Sequence, residues 1–259
     1  MLAFSEVGSG PALVLLHAFP LDRSLYRDVT EPLAADGWRV ITPDLPGFGG
    51  SEEAVGSIED SALAVALLLN QLGENAAVLG GCSMGGYIAL SFAAQFPDRT
   101  AALILIDTKA SIDGAEALAN RERVADQVLA SGSATALAAT LPDSMLSATT
   151  LSERPQLADW LRQTAGRQCP HSVAAAQRAM AARVEQFAAL AALHTPVLCI
   201  RGTDDRTATA ADHAAMAAAA GDAIDVHVPG AGHLLPIEQP AAFVEQVSAF
   251  LRKLRAPRC

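Results

Sequence analysis

Ser83 is the residue whose surroundings best suit nucleophilic chemistry. It is the centre of Gly81-Cys82-Ser83-Met84-Gly85, a G-x-S-x-G pattern between a short apolar run and a helix-forming segment. A serine at such a turn occupies a strained backbone position, and the glycines on either side give the turn room. The turn aims the hydroxyl at the N-terminus of the following helix, where free N–H groups stabilise a developing oxyanion. The pattern predicts attack on a carbonyl carbon.

His233 is the candidate base for the Ser83 hydroxyl, which is a weak nucleophile until its proton is removed. Among the six histidines of the chain, His233 lies in a glycine-rich loop directly after the last predicted strand. His194 and His213 fall in segments predicted to lie at the surface, where a solvated imidazole needs no special role. His227 alternates within the strand, and we interpret it as structural.

Three aspartates compete for the role of the carboxylate that orients the imidazole and stabilises its cation. Asp204 and Asp205 follow the predicted strand that ends at Arg201, and Asp107 follows the preceding strand. The carboxyl ends of parallel strands meet at one edge of a sheet, so each aspartate could reach His233. All three also keep the chain order serine, aspartate, histidine. The residues by themselves leave this choice open.

The elements that must position these residues alternate between short buried strands and helices. Apolar runs predict strands at 12–16, 38–42, 76–79 and 101–106. Between them, capping residues and periodicity predict helices at 22–36, 57–72 and 87–96. This order predicts an α/β fold with a mostly parallel, doubly wound sheet. Only a short strand fits before the first run, at 2–7.

The alternation stops after the strand that ends near Asp107. Ala-rich segments predict helices at 115–130, 133–141, 154–166 and 172–193, with no convincing strand among them. Strands resume at 196–201 and 223–228, and a closing helix is predicted at 241–254. We therefore expect a core formed by residues 1–110 and 194–259, with an all-helical insertion at 111–193.

The composition excludes several classes of partner. Hydrophobic residues make up 51% of the 259 positions and charged residues 18%, which suits a well-buried sheet. The net charge of −10 disfavours nucleic acid and anionic membranes as partners. Because the sequence shows neither an apolar run of membrane length nor a signal-peptide pattern, we expect a cytoplasmic location. The cysteines at positions 82, 169, 199 and 259 lack metal-ligand spacing and are predicted to be free thiols.

Four motifs in this order resemble the α/β-hydrolase superfamily over nearly the whole chain. They are His17-Ala18-Phe19-Pro20, Asp44-Leu45-Pro46-Gly47-Phe48-Gly49-Gly50-Ser51, Gly81-Cys82-Ser83-Met84-Gly85-Gly86 and Gly230-Ala231-Gly232-His233. Within the superfamily the chain resembles the capped esterase and lactonase group, which includes 3-oxoadipate enol-lactonases, aryl esterases and cofactor-free haloperoxidases. The resemblance implies an α/β-hydrolase fold in which the helical insertion forms a cap.

The resemblance also assigns roles to individual residues. The acid of the family is the last residue of a G-x-x-D turn, which is Asp205 here. The oxyanion hole uses the backbone N–H groups of Met84 and Phe19. His17 is implied to anchor the loop before Phe19, and Asp44 holds a turn, as we expect from its D-L-P-G-F-G context. Position 18 is alanine where glycine is usual, which requires a negative φ there.

The implied activity is hydrolysis of a carboxylic ester or lactone of a small, fairly apolar substrate through an acyl-enzyme, without a metal or organic cofactor. Two alternatives use the same triad: perhydrolysis of the cofactor-free haloperoxidase type, which Pro20 favours, and hydrolysis of a C–C bond. A third alternative is a non-catalytic ligand-binding protein on a hydrolase scaffold. We expect a small-molecule ligand as the partner, and a homodimer is compatible with the sequence.

Overall fold

A seven-stranded sheet lies at the centre of the computed structural model, which describes residues 1–52 and 54–255. The strands are β1 (Phe4–Val7), β2 (Ala12–Leu16), β3 (Arg39–Pro43), β4 (Ala77–Cys82), β5 (Thr100–Ile106), β6 (Val197–Gly202) and β7 (Ala223–Val228). Their order across the sheet is β1-β3-β2-β4-β5-β6-β7. β1 is antiparallel to β3, and all other neighbours are parallel. The predicted doubly wound α/β sheet is confirmed.

Helices cover both faces of the sheet. They are α1 (Thr30–Ala35), α2 (Ile58–Gln71), α3 (Met84–Gln95), α4 (Ala115–Ser131), α5 (Thr135–Met145), α6 (Ala148–Glu153), α7 (Pro155–Gly166), α8 (Pro170–Ala182), α9 (Phe187–Ala192), α10 (Ala210–Ala219), α11 (Leu235–Glu238) and α12 (Pro240–Arg255). Every residue of β2, β4 and β6 is therefore buried, as expected of central parallel strands. No helix in the described ranges is long and apolar enough to cross a membrane.

The helices α4 to α9 lie between β5 and β6, and the described residues of this segment contain no strand. An ionic cluster around Asp113 joins the segment to the core, because Lys109 Nζ lies 3.0 Å from Asp113 Oδ1. The Arg183 guanidinium, after α8, donates to both carboxylate oxygens of Asp113, at 2.8 and 3.0 Å. It also stacks over the ring of Tyr87 in α3, 4.2 Å from the ring centroid. These contacts fix one end of the helical segment against the helix that follows Ser83.

Two predicted helices are wrong in extent. The segment 22–36 forms a 3-10 turn at Arg23–Tyr26 and then α1, because Asp22 caps the 3-10 turn by accepting from the Ser24 N–H. The segment 172–193 is divided into α8 and α9. Arg183 adopts an extended backbone where it binds Asp113, and this interaction is invisible to helical periodicity. The helices α6 and α11 were not predicted, and the helical segment expected around His213 is α10.

Candidate active site

The turn between β4 and α3 holds Ser83 in a conformation rare for a side-chain-bearing residue, with φ 53° and ψ −112°. Its N–H donates to the carbonyl of Ile106 at 2.9 Å, which fixes the turn to β5. A Cβ added at Gly85 would overlap the Leu16 carbonyl, and one at Gly81 would overlap the Gly85 carbonyl. Backbone proximity therefore explains why the motif requires glycine at both positions.

The loop between β7 and α11 places His233 beside Ser83. The distance from His233 Nε2 to Ser83 Oγ is 2.8 Å, and that from His233 Nδ1 to Asp205 Oδ2 is 2.9 Å. The exposed fraction is 8% for Ser83, 6% for Asp205 and 2% for His233. With the Nδ1 proton donated to Asp205, Nε2 is left to accept the serine proton. The structure thus brings the three sequence-predicted side chains into one hydrogen-bonded chain.

Asp205 is the aspartate that contacts the imidazole. Its other carboxylate oxygen, Oδ1, accepts from the N–H groups of Thr207 at 2.7 Å and Ala208 at 3.2 Å, so the turn after β6 orients the carboxylate. Asp204 is exposed, and its carboxylate accepts a hydrogen bond from the Thr203 hydroxyl at 3.1 Å. Two adjacent aspartates therefore have different environments.

Asp107, the third candidate, is fully buried but does not hydrogen-bond to His233. Its carboxyl oxygens accept from the N–H of Gly202 at 2.8 Å and the N–H of Leu235 at 3.0 Å. Burial, and then the neighbouring Asp205 carboxylate, raise the pKa of Asp107 to about 8. Its backbone has a positive φ of 45°. Asp107 thus joins the end of β6, just before Asp205, to the start of α11, just after His233.

The electrostatics of the triad favour a charged His233–Asp205 pair. Burial alone would lower the pKa of His233, but the Asp205 carboxylate, with smaller contributions from Asp107 and Glu238, raises it above the ordinary value. Burial alone would raise the pKa of Asp205, yet His233 and the N–H groups of the turn hold it below its ordinary value. Each partner therefore stabilises the charged form of the other.

The backbone N–H groups of Met84 and Phe19, the predicted oxyanion donors, belong to two neighbouring segments. The Met84 N–H begins α3, where it lacks a partner within the helix. The carbonyls of Leu16 and His17 lie directly against Gly85, so the loop that leads to Phe19 borders the start of α3. Among the described residues other than glycine, only Ser83 and Asp107 have a positive φ. Ala18 therefore has the negative φ that an alanine at this position requires.

His17 and Asp44 occupy structural positions. The His17 ring accepts the Leu45 N–H at 2.9 Å and contacts the Ala18 carbonyl at 3.0 Å, which links the two loops. Asp44 accepts from the N–H groups of Arg23 at 2.8 Å and Gly50 at 2.7 Å. Both residues hold loops near the site and neither touches Ser83 in the hydrogen-bond network.

Sequence reasoning misjudged one histidine and missed two supporting residues. His213, expected at the surface, is completely buried in α10. The Thr108 hydroxyl donates to the Ser83 carbonyl at 2.8 Å, and Glu238 accepts from both neighbours of His233. An acidic residue in the otherwise apolar stretch 234–238 was the available signal for Glu238. Thr108 carried no comparable signal.

Among the described residues, no cluster of three or more histidine, cysteine, aspartate or glutamate side chains could hold a metal ion. Cys82, Cys169 and Cys199 are free thiols. Cys259 lies outside the described residues. Burial raises the pKa of Cys82 well above its ordinary value, although this residue directly precedes Ser83. The thiol is therefore held in its protonated form and donates to the His233 carbonyl at 3.6 Å.

With this geometry established, comparison with known proteins defines the class. The sequence pattern of the α/β-hydrolase fold matches residues 11–240, and the chain belongs to this family. A thermophilic esterase from Thermogutta terrifontis, solved with malate bound, is similar over 98% of this chain and 94% of its own, with 39% identity and a TM-score of 0.94.

Two further proteins show the range of activities in similar chains. The enol-lactonase from Burkholderia xenovorans LB400 has a TM-score of 0.89 and 26% identity over 97% of this chain and 96% of its own. The 2-hydroxy-6-oxo-6-phenylhexa-2,4-dienoate hydrolase of Burkholderia cepacia is 38% identical over 109 residues, 39% of this chain and 38% of that protein. The sequence match spans about two fifths of the length of such curated relatives.

Proposed function

We propose that this protein is a serine hydrolase that cleaves a carboxylic ester or lactone through an acyl-enzyme. The observation that carries the proposal is the unbroken hydrogen-bonded chain Ser83–His233–Asp205 at a strained strand-to-helix turn. An esterase and an enol-lactonase are among the similar structures, which supports an acyl substrate.

In the first half of the reaction, His233 Nε2 takes the proton of Ser83 as Oγ attacks the carbonyl carbon. The oxygen that becomes negatively charged accepts from the N–H groups of Met84 and Phe19. The tetrahedral intermediate collapses, the bond to the alcohol oxygen breaks, and the imidazolium gives its proton to that oxygen. Ser83 is left acylated.

In the second half, His233 takes a proton from water, which attacks the acyl carbon. The second intermediate breaks the bond to Ser83 Oγ, and the imidazolium returns a proton to the serine. Asp205 stays ionised throughout and stabilises the imidazolium in both halves. The residues of the chain supply the nucleophile, the base and the oxyanion donors, so the proposed reaction uses no metal or organic cofactor.

We propose that the helical segment 111–193 acts as a cap that limits substrate size. The low exposure of Ser83 and His233, at 8% and 2%, supports a small substrate. Phe19 and Met84, whose N–H groups are the proposed oxyanion donors, carry apolar side chains, which supports a fairly apolar substrate. The cytoplasmic location and the homodimer stay predictions from the sequence.

The test is a burst of p-nitrophenol from a short acyl ester, followed by a panel of acyl chain lengths and lactone ring sizes. Ser83→Ala should abolish the burst and labelling by a serine-reactive phosphonate. Ser91→Ala is a matched control, because Ser91 is also buried in α3 but its hydroxyl contacts Gln95. If the wild-type protein turned over no ester or lactone and formed no phosphonate adduct, the proposal would fail in favour of a ligand-binding scaffold.

Hydrolysis of a C–C bond is the second candidate, favoured by the similarity to a relative named for hydrolysis of a 2-hydroxy-6-oxo-dienoate. A 2-hydroxy-6-oxo-dienoate in the same panel distinguishes it: faster turnover of this compound than of any ester would assign the C–C activity. Perhydrolysis is tested in parallel by peracid formation from acetate and hydrogen peroxide.

A further inference from the structure

Glu238, the last residue of α11, contacts the loop that carries His233. Its side chain is buried, with 1% of the residue exposed. One carboxylate oxygen, Oε1, accepts from the N–H of Gly232 at 3.0 Å and from the N–H of Leu234 at 3.1 Å. These two residues are the immediate neighbours of His233. The carboxylate therefore holds the backbone on both sides of the base.

The second oxygen of the same carboxylate reaches the helical segment. Oε2 accepts from the N–H of Ser147 at 2.8 Å and from the hydroxyl of Thr150 at 2.8 Å, at the junction of α5 and α6. In all four hydrogen bonds a carboxylate oxygen of Glu238 is the acceptor, which is the pattern of an ionised carboxylate. Within the described ranges no Lys or Arg side chain forms an ion pair with this carboxylate; the nearby Arg154 guanidinium donates to the backbone carbonyls of Ile237 and Glu238.

Three other contacts join the same two segments. The N–H of His233 itself donates to the carbonyl of Met145 at 2.7 Å. The hydroxyl of Ser147 lies 3.0 Å from the carbonyl of Gly230, to which it can donate. A Cβ added at Gly232 would come within 2.6 Å of the Met145 carbonyl. The α5–α6 junction is thus seated directly on the loop, and Glu238 lies beneath both.

Resting on the function proposed above, we propose that Glu238 is a positioning residue that fixes the His233 loop and couples it to the α5–α6 junction. The loop needs such a support because Gly230 and Gly232 give its backbone wide freedom. Proton transfer from Ser83 depends on the imidazole staying within hydrogen-bond reach, and small displacements reduce the rate strongly. A movement of the helical segment would therefore change the position of the base.

The carboxylate also contributes charge. The acidic groups that face the imidazole are Asp205 after β6, Asp107 after β5 and Glu238 in α11, and the Cys82 thiol contacts the His233 carbonyl. Each of these carboxylates favours the imidazolium. Removal of the Glu238 charge should therefore lower the pKa of His233, an effect that a purely structural support would not produce.

The experiment compares Glu238→Gln, Thr150→Val and the control Thr164→Val. Glutamine keeps the size of the side chain but replaces one acceptor oxygen by a donor group and removes the charge. Thr150→Val removes the hydroxyl donor on the side of the helical segment and leaves the carboxylate intact. Thr164 is equally buried, in α7, and in the described structure its side chain has no hydrogen bond to Glu238 or to the His233 loop.

For Glu238→Gln we expect kcat on p-nitrophenyl acetate to fall about 10- to 100-fold while KM stays within about twofold, because positioning of the base and not binding is lost. Thr150→Val should lower kcat by about 3- to 10-fold. In the double variant kcat should fall by less than the product of the two single-variant factors, because both changes act on the same hydrogen bond. Thr164→Val should match the wild type. NMR titration of the His233 ring, assigned by its loss in His233→Gln, should show a lower pKa in Glu238→Gln.

A folded Glu238→Gln protein with unchanged kcat and an unchanged His233 titration would overturn the proposal. Should this variant fail to fold, Thr150→Val decides, and a wild-type kcat there counts against the coupling. The NMR titration needs no substrate. A wild-type protein without esterase activity would therefore defeat the proposed function, while the His233 titration would still test the role of Glu238.

Discussion

Ser83 and His233 lie 2.8 Å apart, but the loops that carry them are held by different means. The serine turn is fixed to the central strands of the sheet by backbone packing. Gly81 and Gly85 allow β4, α3 and the Leu16 carbonyl of β2 to approach closely, and the Ser83 N–H donates to the Ile106 carbonyl of β5. The histidine loop is held by hydrogen bonds to groups in three separate segments. Glu238 and Asp107 bind its N–H groups, and Met145 of the helical segment accepts the His233 N–H.

This difference means that the two halves of the site should respond differently to change. A turn held by the backbone of β2, β4 and β5 is fixed to the sheet and does not depend on the position of the helical segment. A loop held by hydrogen bonds from three separate segments follows whichever segment moves. The nucleophile is therefore the fixed reference of the site, and the base is the part through which the helical segment can act on the proposed chemistry. Four predictions test this comparison.

The largest effect is expected for Asp205→Asn, which changes the base side without touching the serine turn. We expect kcat to fall about 10⁴-fold, because the amide no longer stabilises the imidazolium or the correct tautomer. Asp204→Asn is the matched control and should stay within about twofold of wild type, since its side chain is at the surface. Steady-state kinetics measure both. Equal losses in the two variants would contradict the assignment of the acid.

Gly85→Ala tests the serine side. The new methyl group would overlap the backbone carbonyl of Leu16, which cannot move without disturbing β2. We expect the free energy of unfolding to fall by about 3 kcal/mol or more, with loss of activity. Gly221→Ala is the control, because its Cβ would enter open space. Urea denaturation of both proteins measures the difference, and similar midpoints would show that the turn is less constrained than we infer.

His213 lies in α10, which directly follows the loop that carries Asp205. It tests whether the packing of this region makes the stability of the protein depend on pH. Both ring nitrogens are buried without a hydrogen-bond partner. Burial lowers the pKa of His213 to about 4. As the pH falls below 6.5, the imidazole is therefore protonated in the unfolded chain but stays neutral in the folded protein. The stabilisation is fully present above pH 6.5 and is lost as the pH falls toward 4.

The loss attributable to His213 should be about 3 kcal/mol over this range, with His213→Leu showing a flatter dependence of stability on pH. Leucine fills a similar volume and brings no polar atom that needs a partner. Urea denaturation at several pH values measures the slopes. Parallel curves for the wild type and the variant would show that His213 does not titrate in this way.

The smallest effect concerns the acid limb of the pH profile of kcat/KM, which reports protonation of the free base. Because the pKa of His233 is raised above 6.5, less than half of the plateau activity should remain at pH 6.5, with the rate increasing as the pH rises above this value. A midpoint below pH 6.5 would show that burial outweighs the neighbouring carboxylates. The same profile recorded for Asp205→Asn should shift its acid limb to lower pH.

The sequence by itself determined the fold class and the candidate nucleophile. The alternation of apolar runs with capped helices predicts the parallel sheet, and the G-x-S-x-G turn between strand and helix predicts Ser83, because both depend on residues close together in the chain. His233 was also identified from its loop. The choice of Asp205 came from resemblance to a family, since Asp107, Asp204 and Asp205 all lie at the same sheet edge in the sequence pattern.

Only the tertiary structure decided the features that depend on contacts between distant segments. The hydrogen bond from His233 Nδ1 selects Asp205, while Asp107 is directed to Gly202 and Leu235. The division of the predicted helix 172–193 follows from a guanidinium that binds an aspartate 70 residues away. The burial of His213 and the hydrogen bonds from Ser147 and Thr150 to Glu238 likewise have no local signal. Local periodicity records which faces are apolar, but it does not record which buried polar group meets which partner.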